Sequence, residues 1–404
     1  MVIRAICAYR DGNLILQIII GIILGALVGT FSPMLSSYAS MLGDLFIGAL
    51  KAIAPLLVFI LILTSISTKT FSGQGAKMKR VLILYLVATF LAALSAVIAS
   101  FIYPVSLVLE GVTQASNEAA AGLAAVFKDL LFKIVDNPIN ALISGNYLGI
   151  LAWSIGFGVA MRHSKLASKE LFSDVNEGVL KVVAFIVKLA PFGIFGLVAN
   201  SAANTGAAGL LSYAKLLALL VLTMLFVAFV INPLIVFIMT RKNPFPLVFA
   251  CVKSSAIFAF FTRSSAANIP VNMALCERLG VDKNLYSISI PLGATINMGG
   301  AAVTIGILSL ATAYTLGIDV SFVEAFLLSI VATFAACGAS GVAGGSLLLV
   351  PLACSFFNID YDTAMKVVGV GFIIGVVQDS LETAINSSTD VLFTAVASKD
   401  ELKI

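Results

Sequence analysis

The sequence predicts an all-α integral membrane protein whose C-terminal part contains re-entrant helical hairpins and interrupted helices. Three observations carry that prediction. Of the 404 residues, 60% are hydrophobic and 11% charged, against about a quarter charged in an ordinary soluble domain, and the mean hydropathy is +1.09. Apolar runs long enough to cross a bilayer recur between positions 14 and 396. Two apolar segments near the C-terminus, 247–276 and 325–357, are too short to cross twice, yet each has both ends flanked alike.

Taken in order, the first apolar segment, LILQIIIGIILGALVGTF, is too long for the core of a secretion signal and is followed by no small-x-small cleavage motif. It reads as a membrane helix. Lys and Arg in short loops mark the cytoplasmic side. Arg4 and Arg10 precede the first crossing; Lys69, Lys77, Lys79 and Arg80 follow the second; Arg162, Lys165 and Lys169 follow the fourth; Arg241 and Lys242 follow the sixth. The intervening loops, 32–43, 105–127 and 200–210, contain at most a single basic residue. Six crossings with a cytoplasmic N-terminus fit.

Segment 247–276 then breaks the pattern. Arg241 and Lys242 flank one side, Arg278 and Lys283 the other, so both ends look cytoplasmic. Two crossings need about 40 residues, so a hairpin entering from inside, with TRSSAANIP at its tip, satisfies both facts. Segment 325–357 is flanked mainly by Asp319, Glu324, Asp360 and Asp362 and has CGASGVAGG in its middle. It reads as a second hairpin, entering from outside. Between the two lies a spanning helix interrupted at 297–300, and after the second comes the helix that contains QDSLETAINSSTD. A hairpin followed by a polar-interrupted helix therefore occurs twice in opposite orientation. Inverted repeats with broken helices are a signature of secondary transporters, because freed backbone groups must face a polar cavity or ions. NMGG and GASGVAGG each fit close helix packing through small residues; their paired placement favours a binding site.

Composition excludes several other functions. The net charge of +4 is small and its basic residues are scattered, which gives no nucleic-acid surface. The five cysteines, Cys7, Cys251, Cys276, Cys337 and Cys354, form no CxxC pair and read as small hydrophobes. His163, the lone histidine, falls in the polar stretch RHSKLASKE, so neither a structural metal site nor a His-based hydrolase fits. KDEL at 399–402 is followed by Lys-Ile and is no terminal retention signal.

The last helix holds the chemistry. At 100° per residue, Asp379, Glu382, Thr383, Asn386 and Asp390 fall within an arc of roughly 100°. Carboxylates at membrane depth face a cavity or a partner and are functional by default, the alternative being a buried structural ion-pair network. Asp379 and Asp390 are about 16 Å apart along the helix and cannot form a shared-proton catalytic dyad. Arg263, at the first hairpin tip, is the one base at comparable depth and offsets one of three acids. A bound cation is the natural compensation for the rest. The oxygen donors of Asn297, Asn386 and Asp390 suit a small hard cation such as sodium, with a proton also open for Glu382. Dense polar residues on broken helices, without a repeated pore motif, fit an occluding site better than a channel.

TRSSAANIPVNM, PLGATINMGG, GASGVAGGS and QDSLETAINSSTD, in that order, resemble the dicarboxylate/amino acid:cation symporters, and the resemblance covers nearly the whole chain. It implies eight transmembrane helices plus two re-entrant hairpins, a homotrimer in the bacterial cytoplasmic (inner) membrane with both termini inside, and an elevator-type transporter. Residues 1–240 would be mainly scaffold and trimerisation helices, the third and sixth lying partly in the transport unit. Residues 241–404 would form the transport core.

Carried over by position, the resemblance implies that the substrate amino group meets Asp379, helped by Thr383. The substrate carboxylate would meet Asn386 and backbone amides near Ser264 and Ser265, beside Arg263. The second hairpin, around Val342 and Ser346, would close over the ligand. One sodium ion would be held by Asp390 with backbone oxygens of Gly293, Asn297 and Asn386. A second would lie between Thr295, Met298 and carbonyls of Ala336, Cys337 and Ala339.

Departures from the family pattern narrow the substrate. Glu382 stands where acidic-substrate branches place an arginine, so it repels a side-chain carboxylate. Gly299 and Ala301 replace an Asp that helps form a further sodium site and a substrate-contacting Thr. A compact zwitterion with a hydroxyl fits best: sodium-coupled import of serine and threonine, with alanine weaker. Acidic amino acids or dicarboxylates with sodium or protons, and a channel, are the alternatives.

Overall fold

The computed structural model describes residues 14–68, 76–109, 132, 134–204, 206–339 and 344–398. Arg4, Arg10, Cys7, Lys69, Val342, the greater part of the loop at 105–127 and the KDEL stretch lie outside these residues. Among the described residues the ordered elements are all helical.

Helix α1 spans Leu14–Phe31, α2 Pro33–Thr68 and α3 Ala76–Ile102. Residues 32–43 were expected as a loop; instead 33–43 form the first turns of α2. The reason is tertiary. Pro33 starts the helix, where a missing N–H costs nothing, and the following residues lie against α7 (Ala190–Asn204). There Ser36 Oγ donates to Ala199 O at 2.8 Å and Ala39 is buried.

Helices α4 (Pro138–Ser144) and α5 (Tyr147–Ala160) are separated at Gly145, whose φ of 67° is left-handed. Asn137 and Asn146 cap them through side-chain oxygens. Hydrogen bonds from Asn140 and Asn146 hold the Asp136 carboxyl below its usual range. Helix α6 (Leu166–Lys188) meets α7 at a 50° bend, beside Pro191, which lacks the donor a continuous helix needs. The expected loop at 200–210 is also largely helical: α7 reaches Asn204 and α8 (Gly206–Phe226) starts two residues later. A π turn at Val227–Ile231 leads into α9 (Asn232–Thr240), next to Pro233, which removes one rung of the ladder.

The C-terminal part begins with α10 (Phe245–Cys251), a π turn at Val252–Ala256 and α11 (Ile257–Thr262). The chain reverses at Arg263 and Ser264 into α12 (Ser265–Arg278). Arg263 has φ 50°, a left-handed conformation uncommon for a residue with a Cβ. Ser264 accepts from Ala267 N at 3.2 Å and caps α12. Helix α13 (Lys283–Ile296) stops at Asn297 and Met298, and α14 (Gly299–Thr315) continues the span. The interruption is thus shorter than the expected 297–300, because Gly299 and Gly300 are already helical. Helix α15 (Phe322–Ala336), α16 (Val350–Ser355) and the 37-residue α17 (Tyr361–Ala397) complete the chain.

Six helices are long and apolar enough to cross a membrane among the described residues, or seven if the bent pair α6–α7 is one span. The chain is a multi-pass membrane protein. Helices α1, α2, α5, α6 and α7 pack mostly on one another, whereas α3 packs on α14 and α15, and α17 contacts α10 to α14 and α16. Buried α17 therefore has helices on several sides.

Candidate functional site

Helix α17 runs without a break from Tyr361 to Ala397, so its polar side chains keep a fixed helical spacing. Asp379, Glu382, Thr383, Asn386 and Asp390 are all at most 7% exposed. Between them the carboxylates and amide meet the turn at Arg263, the break at Asn297, helix α14 and the segment at 344–346.

Asp379 joins the turn at Arg263 to the segment that begins at Gly344. Arg263 Nε donates to its Oδ2 at 2.6 Å, and the backbone N–H of Gly344 donates to Oδ1 at 3.1 Å. The left-handed turn at Arg263 aims the guanidinium inward, and the ion pair is nearly buried, with side chains 11% and 5% exposed. Arg263, placed among the substrate contacts by the family pattern, thus sits on Asp379 and offsets that acid. Arg263, Gly344 and Asp379 line a cavity of about 10 Å³ together with apolar residues of α1, α6 and α7. A cavity of about 380 Å³ lies instead between α2, α7, α8 and the start of α17, lined among others by Lys51 and Asp362.

One turn on, Glu382 Oε2 accepts from Thr304 Oγ1 at 2.7 Å, Ser346 Oγ at 2.8 Å and Gln378 Nε2 at 2.6 Å. Thr383 Oγ1 donates to Asp379 O within the helix. Asn386 Oδ1 accepts from Gly300 N at 2.7 Å, which satisfies an otherwise orphan donor in the first turn of α14. That contact needs Gly300 itself: a Cβ there would lie 2.8 Å from Glu382 Cα and from Glu382 O.

Asp390 is fully buried. Its Oδ1 accepts from Asn297 Nδ2 at 2.9 Å, and the same amide reaches Thr389 Oγ1 at 2.8 Å and Asn386 O at 3.3 Å. Its Oδ2 has no hydrogen-bond partner. Gly293 allows this approach, since a Cβ would fall 2.5 Å from Asp390 Oδ1. A buried anionic oxygen without a donor is costly, and hard oxygen ligands around it suit a small cation. Of the other oxygens that the family pattern places around a sodium ion, Gly293 O accepts from Asn297 N at 2.9 Å and Asn386 O from Asn297 Nδ2 at 3.3 Å.

The other carried-over residues are less tightly gathered. Ser265 is buried, and Ser264 caps α12. Thr295 Oγ1 donates to Leu292 O within α13. Met298 and Ala336 are buried; Cys337 Sγ donates to Ile296 O at 3.3 Å and so ties the end of α15 to the break between α13 and α14. Ala339 N donates to Ala336 O at 2.8 Å. Val342 lies outside the described residues.

Several residues of the site escaped the sequence reading. Tyr85 of α3 donates to Ser289 O and Asp390 O and bonds Thr394 Oγ1, at 3.2, 3.1 and 3.0 Å; nothing in an apolar helix singles it out. Asn268 and Asn272 of α12 bind Ser387 of α17 at 2.6 and 3.1 Å through side-chain atoms. Their i,i+4 spacing within an otherwise apolar segment was the available signal. Gln378 and Thr304 needed the fold.

The sequence pattern of the sodium:dicarboxylate symporter family matches residues 14–400. The chain belongs to that family. Among relatives of this symporter, the serine/threonine transporter SstT of Campylobacter jejuni subsp. jejuni serotype O:23/36 (strain 81-176) is 70% identical over 399 residues, 99% of this chain and 98% of the relative. The protein of that name from Campylobacter jejuni strain RM1221 is also 70% identical over the same shares. The one from subsp. doylei (strain ATCC BAA-1458 / RM4099 / 269.97) is 69% identical, again over 99% and 98%. As a member of a symporter family the chain is a transporter and not an enzyme.

Proposed function

We propose that this symporter imports serine and threonine together with sodium. The observation that carries the substrate assignment is Glu382, buried one turn from Asp379 and surrounded by neutral donors. Two neighbouring acids welcome an ammonium and repel a side-chain carboxylate, which disfavours aspartate and glutamate. The relatives named as serine/threonine transporters support the same reading over 99% of the chain.

In this reading Asp379 receives the ammonium, helped by Thr383, while Asn386 and the amides near Ser264 and Ser265 receive the carboxylate. Sodium at Asp390 fills the unpartnered oxygen and orders the break at Asn297 and Met298. A second sodium lies between Thr295, Met298 and the carbonyls of Ala336, Cys337 and Ala339. Ion and amino acid then favour each other's binding, as linkage requires. The two chain reversals are re-entrant hairpins within an eight-span elevator. Residues 1–240 are mainly the scaffold of a homotrimer in the bacterial inner membrane with both termini cytoplasmic, and residues 241–404 are the transport core.

Uptake of radiolabelled serine into proteoliposomes, with and without an inward sodium gradient, tests the assignment. Uptake driven by sodium and not by potassium is expected. Equal serine binding in sodium, potassium and choline buffers would overturn it. Counterflow, in which unlabelled serine inside accelerates inward movement of labelled serine, is expected of a carrier and would be missing from a channel.

A further inference from the structure

Beside the acids of α17, a cluster of uncharged polar side chains is buried in the C-terminal part. Ser255, Asn268, Asn272 and Ser387 are each at most 1% exposed. They come from three elements: the π turn Val252–Ala256, α12 and α17. Asn268 Nδ2 donates to Ser387 Oγ at 2.6 Å and to Ser255 Oγ at 2.9 Å. Asn272 Nδ2 donates to Ser387 O at 2.9 Å and to Ser387 Oγ at 3.1 Å, while Ser255 Oγ donates to Asn272 Oδ1 at 2.6 Å. Two amides one helical turn apart on α12 thus grip a single serine of α17.

Stability alone does not account for this cluster. Asn268 Oδ1 is buried and has no hydrogen-bond partner, and an unmet buried acceptor costs free energy that a leucine of similar shape would not. The place of the amide in the fold supplies a reason for it. Asn268 lies one turn after Ser264 on α12, its N–H donating to Ser264 O at 3.3 Å. Ser387 directly follows Asn386 on α17. In the proposed function the substrate carboxylate is received from two sides, by Asn386 and by the backbone amides near Ser264 and Ser265. The 2.6 Å bond from Asn268 to Ser387 therefore joins the two halves of that site, one residue from the first half and one turn from the second.

We propose that Asn268, Asn272 and Ser387 are positioning residues for the substrate carboxylate, holding the start of α12 at a fixed separation from Asn386 without touching the substrate. The inference rests on the serine/threonine reading above and deepens it. Donors already held at the right separation bind a carboxylate better than donors that must be drawn together at each binding event. Loosening the joint then weakens every substrate that carries the carboxylate, whatever its side chain.

The test measures KM and kcat for sodium-driven uptake of labelled serine and threonine into proteoliposomes containing the full chain or its variants. Ser387→Ala and Asn268→Leu are each expected to raise KM by about tenfold, by the same factor for both amino acids, with kcat nearly unchanged. The double variant is expected to match the more affected single one, because either change alone removes the Asn268 to Ser387 bond. It also removes donor and acceptor together with the unpartnered Asn268 Oδ1, while the bonds from Ser255 Oγ to Asn272 Oδ1 and from Asn272 Nδ2 to Ser387 O stay in place. The double variant therefore keeps its fold even where a single variant loses it, and its KM alone then decides. A wild-type KM in the double variant, a shift for one amino acid only, or single shifts that multiply in the double variant overturns the inference. In those cases sodium-driven serine uptake by the wild type leaves the function standing; a wild type that takes up no serine on sodium overturns both.

Discussion

Asp379 and Arg263 form the one close ion pair in the site, and each is worth most to the fold through the other. Asp379→Asn is expected to abolish sodium-driven serine uptake. It also leaves a guanidinium buried without a partner, and breaking such a pair from one side costs about 3–5 kcal/mol. The double variant Arg263→Met with Asp379→Asn should regain most of that stability without regaining transport. Thermal unfolding in detergent and uptake, measured side by side, separate the two effects; a fully active Asp379→Asn protein would return the residue to a structural role. At Glu382 the prediction is one of specificity. Glu382→Arg should let aspartate inhibit labelled serine uptake and be taken up itself, and exclusive serine uptake would count against charge repulsion as the filter.

The same residues show how far sequence reaches at this scale. Helical spacing placed Asp379, Glu382, Thr383, Asn386 and Asp390 on one face; all five are buried, but α17 is buried on every side from Glu382 to Ala397, so burial does not single that face out. That Arg263 would offset one acid followed from counting charges; that the acid is Asp379 did not. The distance in sequence is 116 residues, and only the left-handed turn at the end of α11 aims the side chain.

Among elements, glycines decide which helices can touch. Gly293→Ala and Gly300→Ala place a methyl group against Asp390 and against the backbone of Glu382, closer than packed atoms allow. Each is expected to cost about 1–3 kcal/mol and to impair transport. Gly299→Ala meets only the Ala92 Cβ at 3.4 Å, and should be neutral or gain up to about 1 kcal/mol from helix propensity. Unfolding midpoints of the three variants check the ordering, and a Gly299→Ala protein as unstable as Gly300→Ala would contradict it. Element breaks were partly legible. The interruption at Asn297 and the reversal at TRSS were visible because polar residues stood out against apolar runs. The helical start of α2 was hidden, because PMLSSYASMLGD is polar enough to read as a loop and becomes helical by packing on α7.

For the whole molecule, the sodium site proposed at the unpartnered Asp390 Oδ2 would make stability a function of the bound ion. Anything that binds the folded state alone stabilises it, by about 2.7 kcal/mol at a hundred times its Kd. Sodium, and not potassium or choline at equal ionic strength, is therefore expected to raise the unfolding temperature. Serine should add to the rise only when sodium is present, and Asp390→Asn should remove the sodium response. A wild-type protein whose unfolding temperature ignores sodium would remove Asp390 from the ion site.

Sequence alone determined the solvent, the helical class, the break at Asn297 and the stripe of acids on the last helix. These are local or compositional properties, set by bilayer thickness, backbone hydrogen bonding and the helical period. Tertiary structure alone decided that Arg263 pairs with Asp379, that Ser346, Thr304 and Gln378 meet on Glu382, that the Tyr85 hydroxyl lies on Asp390 O, and that one Asp390 oxygen is left without a hydrogen-bond partner. Such pairings join residues up to 305 positions apart. They depend on which helices pack together and at what approach, and no period or composition of a single segment contains that information.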